Sequence, residues 1–502
     1  MQGPIRMSQI AGTSQNLQKR AWLGAFAAAL LALLLVRILA LAVNGTDLFF
    51  DEAQYWYWSL EPAFGYYSKP PLIAWLIRLS TDSCGLSEFC IRLPSPFLHT
   101  ATAVAVFWIG QQLYDFKVGV LAGLAYATLP GVSVSAGIIS TDVPLLLFWA
   151  LTLGAFVRMM QVPAWWPSLL FGLAFGFGLN AKYAMAWFIV CLVVYLVMTP
   201  ERRGLLRDAR LYLGLGLGVL MIVPNLVWNL DHKFATFSHT ADNAKWGGAL
   251  FHPDKAAEFF GAQFGVFGPI LFAALLVITW RACRQRLPDA DRLLLAFCLP
   301  LVAIITVQAF LSRAHANWAA VAYVAATVLV VATMMRDAAW IWLKTSFGVH
   351  LIMVVLLIVG VAAAGRIALP IGPDPFARTL GWEEIAKATQ EKLQEARERG
   401  QPFSTVITDD RPVTAELLYY MRNDPTPIRA WREGGRPRDH FELMQPFTGS
   451  DGPVLLVSTV GERSSVIRSF ENSVALGQQD VPAGPSASRR VSFFALTGYI
   501  HE

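Results

Sequence analysis

The stretch AWLGAFAAALLALLLVRILALAV (21–43) decides the fold, because it is a long apolar run in which Arg37 is the only charged side chain. A helix needs about 20 mostly apolar residues to cross the roughly 30 Å hydrocarbon core of a bilayer. This run is too long for the apolar part of a signal peptide, and no small-residue cleavage pattern follows it before the charged loop. We therefore expect a helix that anchors the chain in a membrane.

Similar apolar runs recur as far as residue 366, and the composition agrees with them. Hydrophobic residues make up 55% of the chain, charged residues make up 15%, and the mean hydropathy is +0.47. A bilayer must therefore cover much of the surface. The stretches predicted to span it lie at roughly 21–43, 96–114, 117–134, 142–160, 166–180, 183–199, 209–229, 262–281, 291–312, 316–335 and 346–366. The pattern predicts an α-helical polytopic membrane protein with about 11 transmembrane helices.

Lysine and arginine residues indicate the orientation, because short cytoplasmic loops carry an excess of them. They concentrate in one set of alternate loops, at Lys19, Arg20, Lys117, Arg158, Arg202, Arg203, Arg207, Arg210, Arg281, Arg284, Arg286, Arg292, Arg336 and Lys344. This placement predicts a cytoplasmic N-terminus and, after an odd number of spans, a C-terminus on the outer side. The net charge of +5 is too small and too dispersed to indicate a nucleic-acid partner.

The C-terminal part of the chain has a different pattern. Helices are predicted over 382–399 and 414–422, and strands over 404–410, 453–460 and 491–499. Alternating strands and helices predict a small extracytoplasmic α/β domain, preceded by a linker at 371–376. The predicted domains are a cytoplasmic tail (1–20), a transmembrane domain (21–369) that includes the first outer loop with interface helices (44–95), and the C-terminal domain (370–502).

The first outer loop contains residues that a plain connection would not need. In DLFFDEAQYWYWSLEPAFGYYSKPPLIAWLIR (47–78), Asp51 and Glu52 lie beside an aromatic run at 55–58. Such a run suits an amphipathic helix in the membrane interface. Lys69 is followed by two prolines, which keep it out of a helix interior.

Two further outer segments place ionisable groups at the ends of predicted spans. Asp142 lies at the start of one span, which Ser140 or Thr141 could cap. Lys182 lies between two other spans. Ionisable groups at such depth are costly and by default indicate a functional site.

Together these elements resemble the GT-C type membrane glycosyltransferases. The likeness is to the bacterial branch related to dolichyl-phosphate-mannose protein mannosyltransferases and to the aminoarabinose transferase that modifies lipid A. It rests on the pair Asp51 and Glu52, the Tyr-x-x-Lys-Pro-Pro element (66–71), the Asp-x-Pro element (142–144) and Lys182 in its Gly-Leu-x-x-Lys setting. It covers most of the membrane region and is weaker over the C-terminal domain.

The resemblance implies a multi-pass enzyme of a bacterial inner membrane, with its C-terminal domain in the periplasm. It would transfer a monosaccharide, with inversion, from a polyprenyl-phosphate donor to a lipid A, glycan or protein acceptor. A carboxylate that removes the acceptor's proton contributes about 10²–10⁴-fold in rate, and a fixed cation stabilises the leaving phosphate. Asp51 is the candidate general base, with Glu52 and Asp142 as further catalytic candidates. Lys69, Lys182 and Arg313 are the candidate phosphate ligands, and Tyr66, Tyr67, His232 and His315 are the candidate substrate-binding residues.

A metal requirement stays open. In the aminoarabinose enzyme an acidic residue precedes the lysine and resembles part of a metal site, whereas Ser68 precedes Lys69 here. The long loop at 228–252 contains His232, His239 and His252, but without clean ligand spacing. No cofactor is certain, and a divalent metal ion is one alternative.

Each candidate also has a plainer interpretation. The Asp-Glu pair could be the solvated start of a loop, and the loop histidines could be packing residues. Lys69 could snorkel to lipid headgroups, Asp142 could interact favourably with the helix dipole, and Lys182 could anchor the interface. Arg37, inside the first span, either pairs with a buried acid or carbonyl or contacts the donor phosphate, and we favour the pairing. The rival function is a polytopic transporter or flippase of lipid-linked sugars. It would be expected to show paired repeats and broken helices, and we find neither pattern in the sequence.

Two of the five cysteines lie together in the first outer loop. Cys84 and Cys90 are six residues apart in a segment placed in the oxidising compartment. A disulfide and two free thiols both remain open from the sequence.

Overall fold

The computed structural model describes residues 3–244, 248, 250–367, 374–450, 452–485 and 487–500, with side chains from Leu17 onward. The predicted linker at 371–376 and the predicted boundary between 369 and 370 lie largely outside these residues. The helices before residue 200 are α1 (Gly3–Ala42), α2 (Phe50–Leu60), α3 (Leu72–Cys84), α4 (Glu88–Arg92), α5 (Pro94–Leu113), α6 (Phe116–Thr128), α7 (Pro130–Ser135), α8 (Asp142–Gln161), α9 (Trp166–Ala181) and α10 (Trp187–Met198). The later helices are α11 (Ala209–Asp231), α12 (Ala235–Ala244), α13 (Pro253–Val266), α14 (Pro269–Ala282), α15 (Asp289–Ala296), α16 (Leu299–Leu311), α17 (Ala322–Arg336), α18 (Trp340–Ala362), α19 (Trp382–Glu398), α20 (Arg411–Tyr420) and α21 (His440–Met444).

The chain divides into two units. The first consists of Met1–Leu41 and Leu93–Leu357, and the second of Ala42–Arg92 and Ile358–Glu502. The loop after the first span therefore folds with the C-terminal part of the chain.

The first unit is built from apolar helices. Within the described residues, six helices are long and apolar enough to cross a membrane: Leu17–Ala42, Glu88–Leu113, Asp142–Gln161, Ala209–Asp231, Asp289–Leu311 and Trp340–Ala362. A bent pair, Pro253–Val266 with Pro269–Ala282, would make seven. Shorter apolar helices lie at Phe116–Thr128, Trp166–Ala181, Tyr183–Met198 and Ala322–Arg336. Helices thus occupy every predicted span, and the number of crossings stays a prediction.

One predicted span is sharply broken, which corrects the expectation from the sequence that no span is broken. The stretch predicted at 262–281 is the end of α13 followed by α14, and the two helices meet at 116°. Gly268 lies at the break with a φ of +90°, and a Cβ there would collide with Nε2 of His350. A left-handed glycine followed by a proline at the first helical turn accounts for the break, which hydropathy does not reveal.

Arg37 illustrates how a charge is accommodated inside the first span. The side chain is buried, and Nη2 donates to the carbonyl oxygen of Ala127 at the end of α6. One carbonyl pairing expected from the sequence is therefore present, whereas Nε and Nη1 of Arg37 are buried without a hydrogen-bond partner among the described residues.

The second unit contains a five-stranded sheet. The strands are β1 (Thr405–Thr408), β2 (Ile428–Ala430), β3 (Val454–Ser458), β4 (Phe470–Pro482) and β5 (Ser488–Tyr499), in the order β2-β1-β3-β5-β4. β1 is parallel to both of its neighbours, whereas β5 is antiparallel to β3 and β4. The small α/β domain is therefore present, although β2 and β4 were not predicted.

Both faces of the sheet are buried at its central strands β1 and β3, whereas most of β4 is exposed. Val406 and Leu455 pack in a cluster with α19 and α20, whereas Ile407 and Leu456 pack in a second cluster on the opposite face. Strands covered on both sides have apolar residues at every position rather than at alternate ones. This explains why TVIT and VLLVS are recognisable as strands without an alternating pattern.

The loop after the first span contains a disulfide. Cys84, the last residue of α3, is bonded to Cys90 in α4, with 5.6 Å between their Cα atoms. The structure thus selects the disulfide from the two alternatives that the sequence left open.

Candidate active site

Helix α2 carries the Asp-Glu pair, and its two carboxylates have different surroundings. Oε2 of Glu52 accepts a hydrogen bond of 2.9 Å from the backbone N–H of Phe49, which fixes the start of the helix. Nη2 of Arg92 lies 2.8 Å from the same oxygen, and both side chains are only 2% exposed. The guanidinium also donates to the carbonyl oxygens of Thr46 and Asp47. Glu52 and Arg92 therefore form a buried pair that holds the loop around α2.

Asp51 is the exposed member of the pair, with 38% of its side chain accessible. Its Oδ1 accepts a hydrogen bond of 2.9 Å from Nη1 of Arg411, the first residue of α20. Nη1 of Arg411 also lies 2.9 Å from Oε1 of Gln54, one turn further along α2. Among the residues that the structure describes, nothing donates a hydrogen bond to Oδ2 of Asp51. One oxygen of this carboxylate is thus held while the other can accept a proton.

Lys69 lies in a bend that the neighbouring aromatic residues support. Its carbonyl oxygen accepts a hydrogen bond of 3.1 Å from the N–H of Tyr66. The Tyr66 ring stacks on Trp58 with centroids 4.7 Å apart, and its hydroxyl donates to the Trp58 carbonyl oxygen. The Tyr67 hydroxyl donates 2.8 Å to the carbonyl oxygen of Pro437. Both tyrosines therefore have a scaffolding contact, and burial raises the pKa of Tyr66 to about 12, which keeps its hydroxyl protonated.

In the first unit, Asp142 is the centre of a second cluster. Its Oδ1 lies 2.7 Å from Nζ of Lys182, and its Oδ2 accepts a 2.7 Å hydrogen bond from Nδ2 of Asn317. The Lys182 side chain is 20% exposed and that of Asp142 is 11% exposed. Thr141, at the N-cap of α8, makes no side-chain capping bond, so the first turn is not capped by Thr141, one of the two predicted candidates. The structure brings together the predicted Asp142 and Lys182 and adds an asparagine that sequence reasoning missed.

A buried amide pair supports the segment that carries Lys182. Nδ2 of Asn229 donates to the hydroxyl of Tyr183, which itself donates 2.6 Å to Oδ1 of Asn225. Both asparagines are fully buried and four residues apart in α11. Two amides spaced by one turn inside an apolar span are costly unless they bond to each other or to a neighbour. The spacing of Asn225 and Asn229 in the sequence is a signal that could have identified this supporting pair.

The remaining candidates of the first unit are dispersed. His232 stacks on Trp228 and its Nδ1 lies 2.8 Å from the Trp228 carbonyl oxygen. The exposed His315 packs edge-on against Trp318. Nε of Arg313 is buried without a hydrogen-bond partner among the described residues. Nothing in this part of the structure gathers these three side chains into one group.

The described part of the chain contains no side-chain cluster of the kind that binds a metal ion. No group of three or more His, Cys, Asp or Glu side chains there could hold a metal ion. We therefore derive no step through a metal.

Buried acids of the second unit are protonated more readily than usual. Burial raises the pKa of Asp47 to about 6, although the N–H of Trp382 donates 2.8 Å to its Oδ2. Burial also raises the pKa of Glu416 well above its ordinary range, and neither of its oxygens has a hydrogen-bond partner among the described residues. These two acids therefore contribute little negative charge near α2 at mildly acidic pH.

Comparisons with known proteins identify relatives across most of the chain. Residues 68–228, which include Lys69, Asp142 and Lys182, match the family model described as dolichyl-phosphate-mannose-protein mannosyltransferase. The lipid A galacturonosyltransferase RgtD of Rhizobium johnstonii is 35% identical over 410 residues, which cover 81% of this chain and 84% of that protein. The undecaprenyl phosphate-alpha-4-amino-4-deoxy-L-arabinose arabinosyl transferase 2 of Sodalis glossinidius is 28% identical over 137 residues, 27% of this chain and 25% of that one.

A solved structure has the same fold. ArnT from Cupriavidus metallidurans, bound to undecaprenyl phosphate, superposes with a TM-score of 0.61 at 16% sequence identity. The match covers 94% of this chain and 98% of that one.

Proposed function

Because the chain belongs to the GT-C family of membrane glycosyltransferases that includes the lipid A galacturonosyltransferases, we propose that it transfers a galacturonosyl residue from a polyprenyl phosphate to lipid A. The choice of sugar and acceptor is supported by the name of the relative that is 35% identical over most of both chains, a lipid A galacturonosyltransferase. The proposed polyprenyl-phosphate donor is supported by the shared fold with ArnT, whose crystal structure holds undecaprenyl phosphate.

The observation that carries the proposal is the exposure and hydrogen bonding of the Asp51 carboxylate. Its side chain is 38% exposed and is held at one oxygen only, whereas neighbouring Glu52 is buried and paired with Arg92. A general base must be reachable by the hydroxyl that it deprotonates. Of the two carboxylates, Asp51 meets that condition.

The proposed reaction is a single displacement at the anomeric carbon. The acceptor hydroxyl gives its proton to Asp51 while its oxygen forms the new glycosidic bond. The bond between the anomeric carbon and the phosphate oxygen breaks from the opposite side, so the configuration inverts and polyprenyl phosphate leaves. Lys69 is the proposed cation for the developing phosphate charge. Lys182 is the weaker candidate, because its charge is already balanced by Asp142 at 2.7 Å.

Asp142 has a supporting role in this proposal. Two donors, Lys182 and Asn317, hold both of its oxygens. Such a carboxylate is well placed to orient a hydroxyl group and poorly placed to take up a proton. Arg313 and His315 are proposed to contact the donor or the sugar, and Tyr66, Tyr67 and His232 to shape the substrate site.

The test is sugar transfer by purified protein in detergent, with undecaprenyl-phosphate galacturonic acid and lipid A. Mass spectrometry should detect lipid A heavier by one hexuronosyl residue. Asp51→Asn should abolish the product while donor binding survives, because the isosteric amide cannot accept a proton. If Asp51→Asn transfers at the wild-type rate, the base is another group. A transporter or flippase would give no product in detergent with either protein.

The proposed topology has eleven crossings, with the N-terminus in the cytoplasm and the domain after residue 370 in the periplasm. The six long helices, the bent pair and the four shorter apolar helices supply that number of candidates. Reporter fusions after Arg203 and Arg284 should report cytoplasm, and a fusion after residue 400 should report the periplasm. A cytoplasmic signal from the last fusion would contradict the odd number of crossings.

A further inference from the structure

We propose that Arg411 of the C-terminal part of the chain is a positioning residue that holds Asp51 in its reactive orientation. The proposal rests on the proposed function, in which Asp51 is the general base. It makes the small α/β domain part of the catalytic apparatus rather than an appended module.

The start of α20 places Arg411 at the carboxyl ends of the parallel strands. β1 ends at Thr408, and Asp409 and Asp410 connect it to Arg411. Oδ2 of Asp409 accepts a 2.7 Å hydrogen bond from Ser458, the last residue of β3, and the Thr414 hydroxyl donates 3.0 Å to the carbonyl oxygen of Asp410. In open α/β sheets, the carboxyl ends of parallel strands are where ligands and reactive groups gather. These hydrogen bonds hold the two residues before Arg411, and they therefore fix the position of its backbone.

The guanidinium makes three contacts with one helix. Its Nη1 lies 2.9 Å from Oδ1 of Asp51 and 2.9 Å from Oε1 of Gln54, and its Cζ lies 4.8 Å from the centroid of the Phe50 ring. Asp51 and Gln54 are three residues apart, so they share a face of α2. These contacts restrict the Asp51 side chain to one rotamer, with Oδ2 left to receive a proton.

Stability alone is a weak explanation for this arrangement. The Arg411 side chain is 31% exposed and that of Asp51 is 38% exposed. Ion pairs as accessible as this one add little to folding free energy. The orientation of Asp51 matters more than the stability of the ion pair, because a small displacement of a catalytic group lowers the reaction rate by a large factor. Lysine could keep the charge but lacks the planar guanidinium, whose Cζ lies 4.8 Å from the Phe50 ring centroid while Nη1 bonds both oxygens.

The experiment compares Arg411→Gln and Arg411→Lys with wild-type protein in the detergent transfer assay, using undecaprenyl-phosphate galacturonic acid and lipid A. We expect kcat to fall roughly 10- to 100-fold in Arg411→Gln, with the donor KM within about twofold. Arg411→Lys should recover only part of the loss. Hydrogen exchange across α2 and the sheet should stay at the wild-type level in both variants.

Arg490→Gln is the matched control. It removes another arginine of the same domain, whose exposed ion pair with Asp480 joins β5 to β4. We expect its kcat to equal that of the wild type.

The outcomes separate this proposal from the proposed function. If Asp51→Asn abolishes transfer and Arg411→Gln keeps the wild-type kcat, the positioning role is wrong and the base assignment stands. A loss in Arg411→Gln that comes with fast exchange throughout β1 and α20 would show a folding role and would also overturn the proposal. If Asp51→Asn transfers normally, the base assignment fails and the positioning role fails with it.

Discussion

The pair of Glu52 and Arg92 should stabilise the loop around α2 without taking part in the chemistry. We consider Arg92→Met, which keeps much of the side-chain volume and removes the charge. The change leaves the Glu52 carboxylate buried without its Arg92 partner, while the Phe49 N–H still donates to it. It also deprives the carbonyl oxygens of Thr46 and Asp47 of their donor.

The magnitude follows from the burial of the pair. Both side chains are 2% exposed, with nitrogen and oxygen 2.8 Å apart. Removing one partner of such a pair costs roughly 3–5 kcal/mol, since the other charge stays buried. At about 1.4 kcal/mol for each factor of ten, local opening of α2 becomes about a hundred- to several-thousand-fold more frequent.

Hydrogen-exchange mass spectrometry on peptides covering Phe50–Leu60 measures that opening directly. The double variant with Glu52→Gln should exchange more slowly than Arg92→Met alone, because no uncompensated charge is then buried. Arg78→Met is the matched control in the same loop, since its ion pair with Asp82 is 44% and 56% exposed and such pairs contribute about 0–1 kcal/mol. Exchange in Arg92→Met within threefold of the wild type would refute the reasoning.

Three further predictions concern other parts of the chain. Asn317→Ala should lower kcat by up to about 100-fold, because Oδ2 of Asp142 loses its donor, and an unchanged kcat in the transfer assay would contradict this. Asp47 has a folded pKa of about 6 against an ordinary 3.8, so its contribution to stability is complete below pH ~4 and is lost as the pH rises through 6. The free energy of unfolding falls by about 3 kcal/mol at most over this pH range. Denaturation measured at several pH values should therefore show a smaller pH dependence of stability in Asp47→Asn than in the wild type. Peptide mapping with thiol labelling should modify Cys84 and Cys90 only after reduction, and equal labelling before reduction would exclude the bond.

The candidate site was only partly predictable. Asp51 and Lys69 stood out because charges beside aromatic and proline residues at a membrane surface are unusual. The sequence did not indicate that adjacent Asp51 and Glu52 differ in burial. That difference depends on which arginine each carboxylate meets, and the partners lie 360 and 40 residues away.

The sequence by itself determined the helical membrane region and the strands β1, β3 and β5. Bilayer thickness and apolar burial act on consecutive residues, so runs of suitable length reveal these elements locally. Only the tertiary structure decided that the loop after the first span folds with the C-terminal residues, that Arg411 reaches Asp51, and that Asn317 reaches Asp142. Partner choice among charged and amide groups depends on which segments the fold brings within about 3 Å, and no local pattern encodes that proximity.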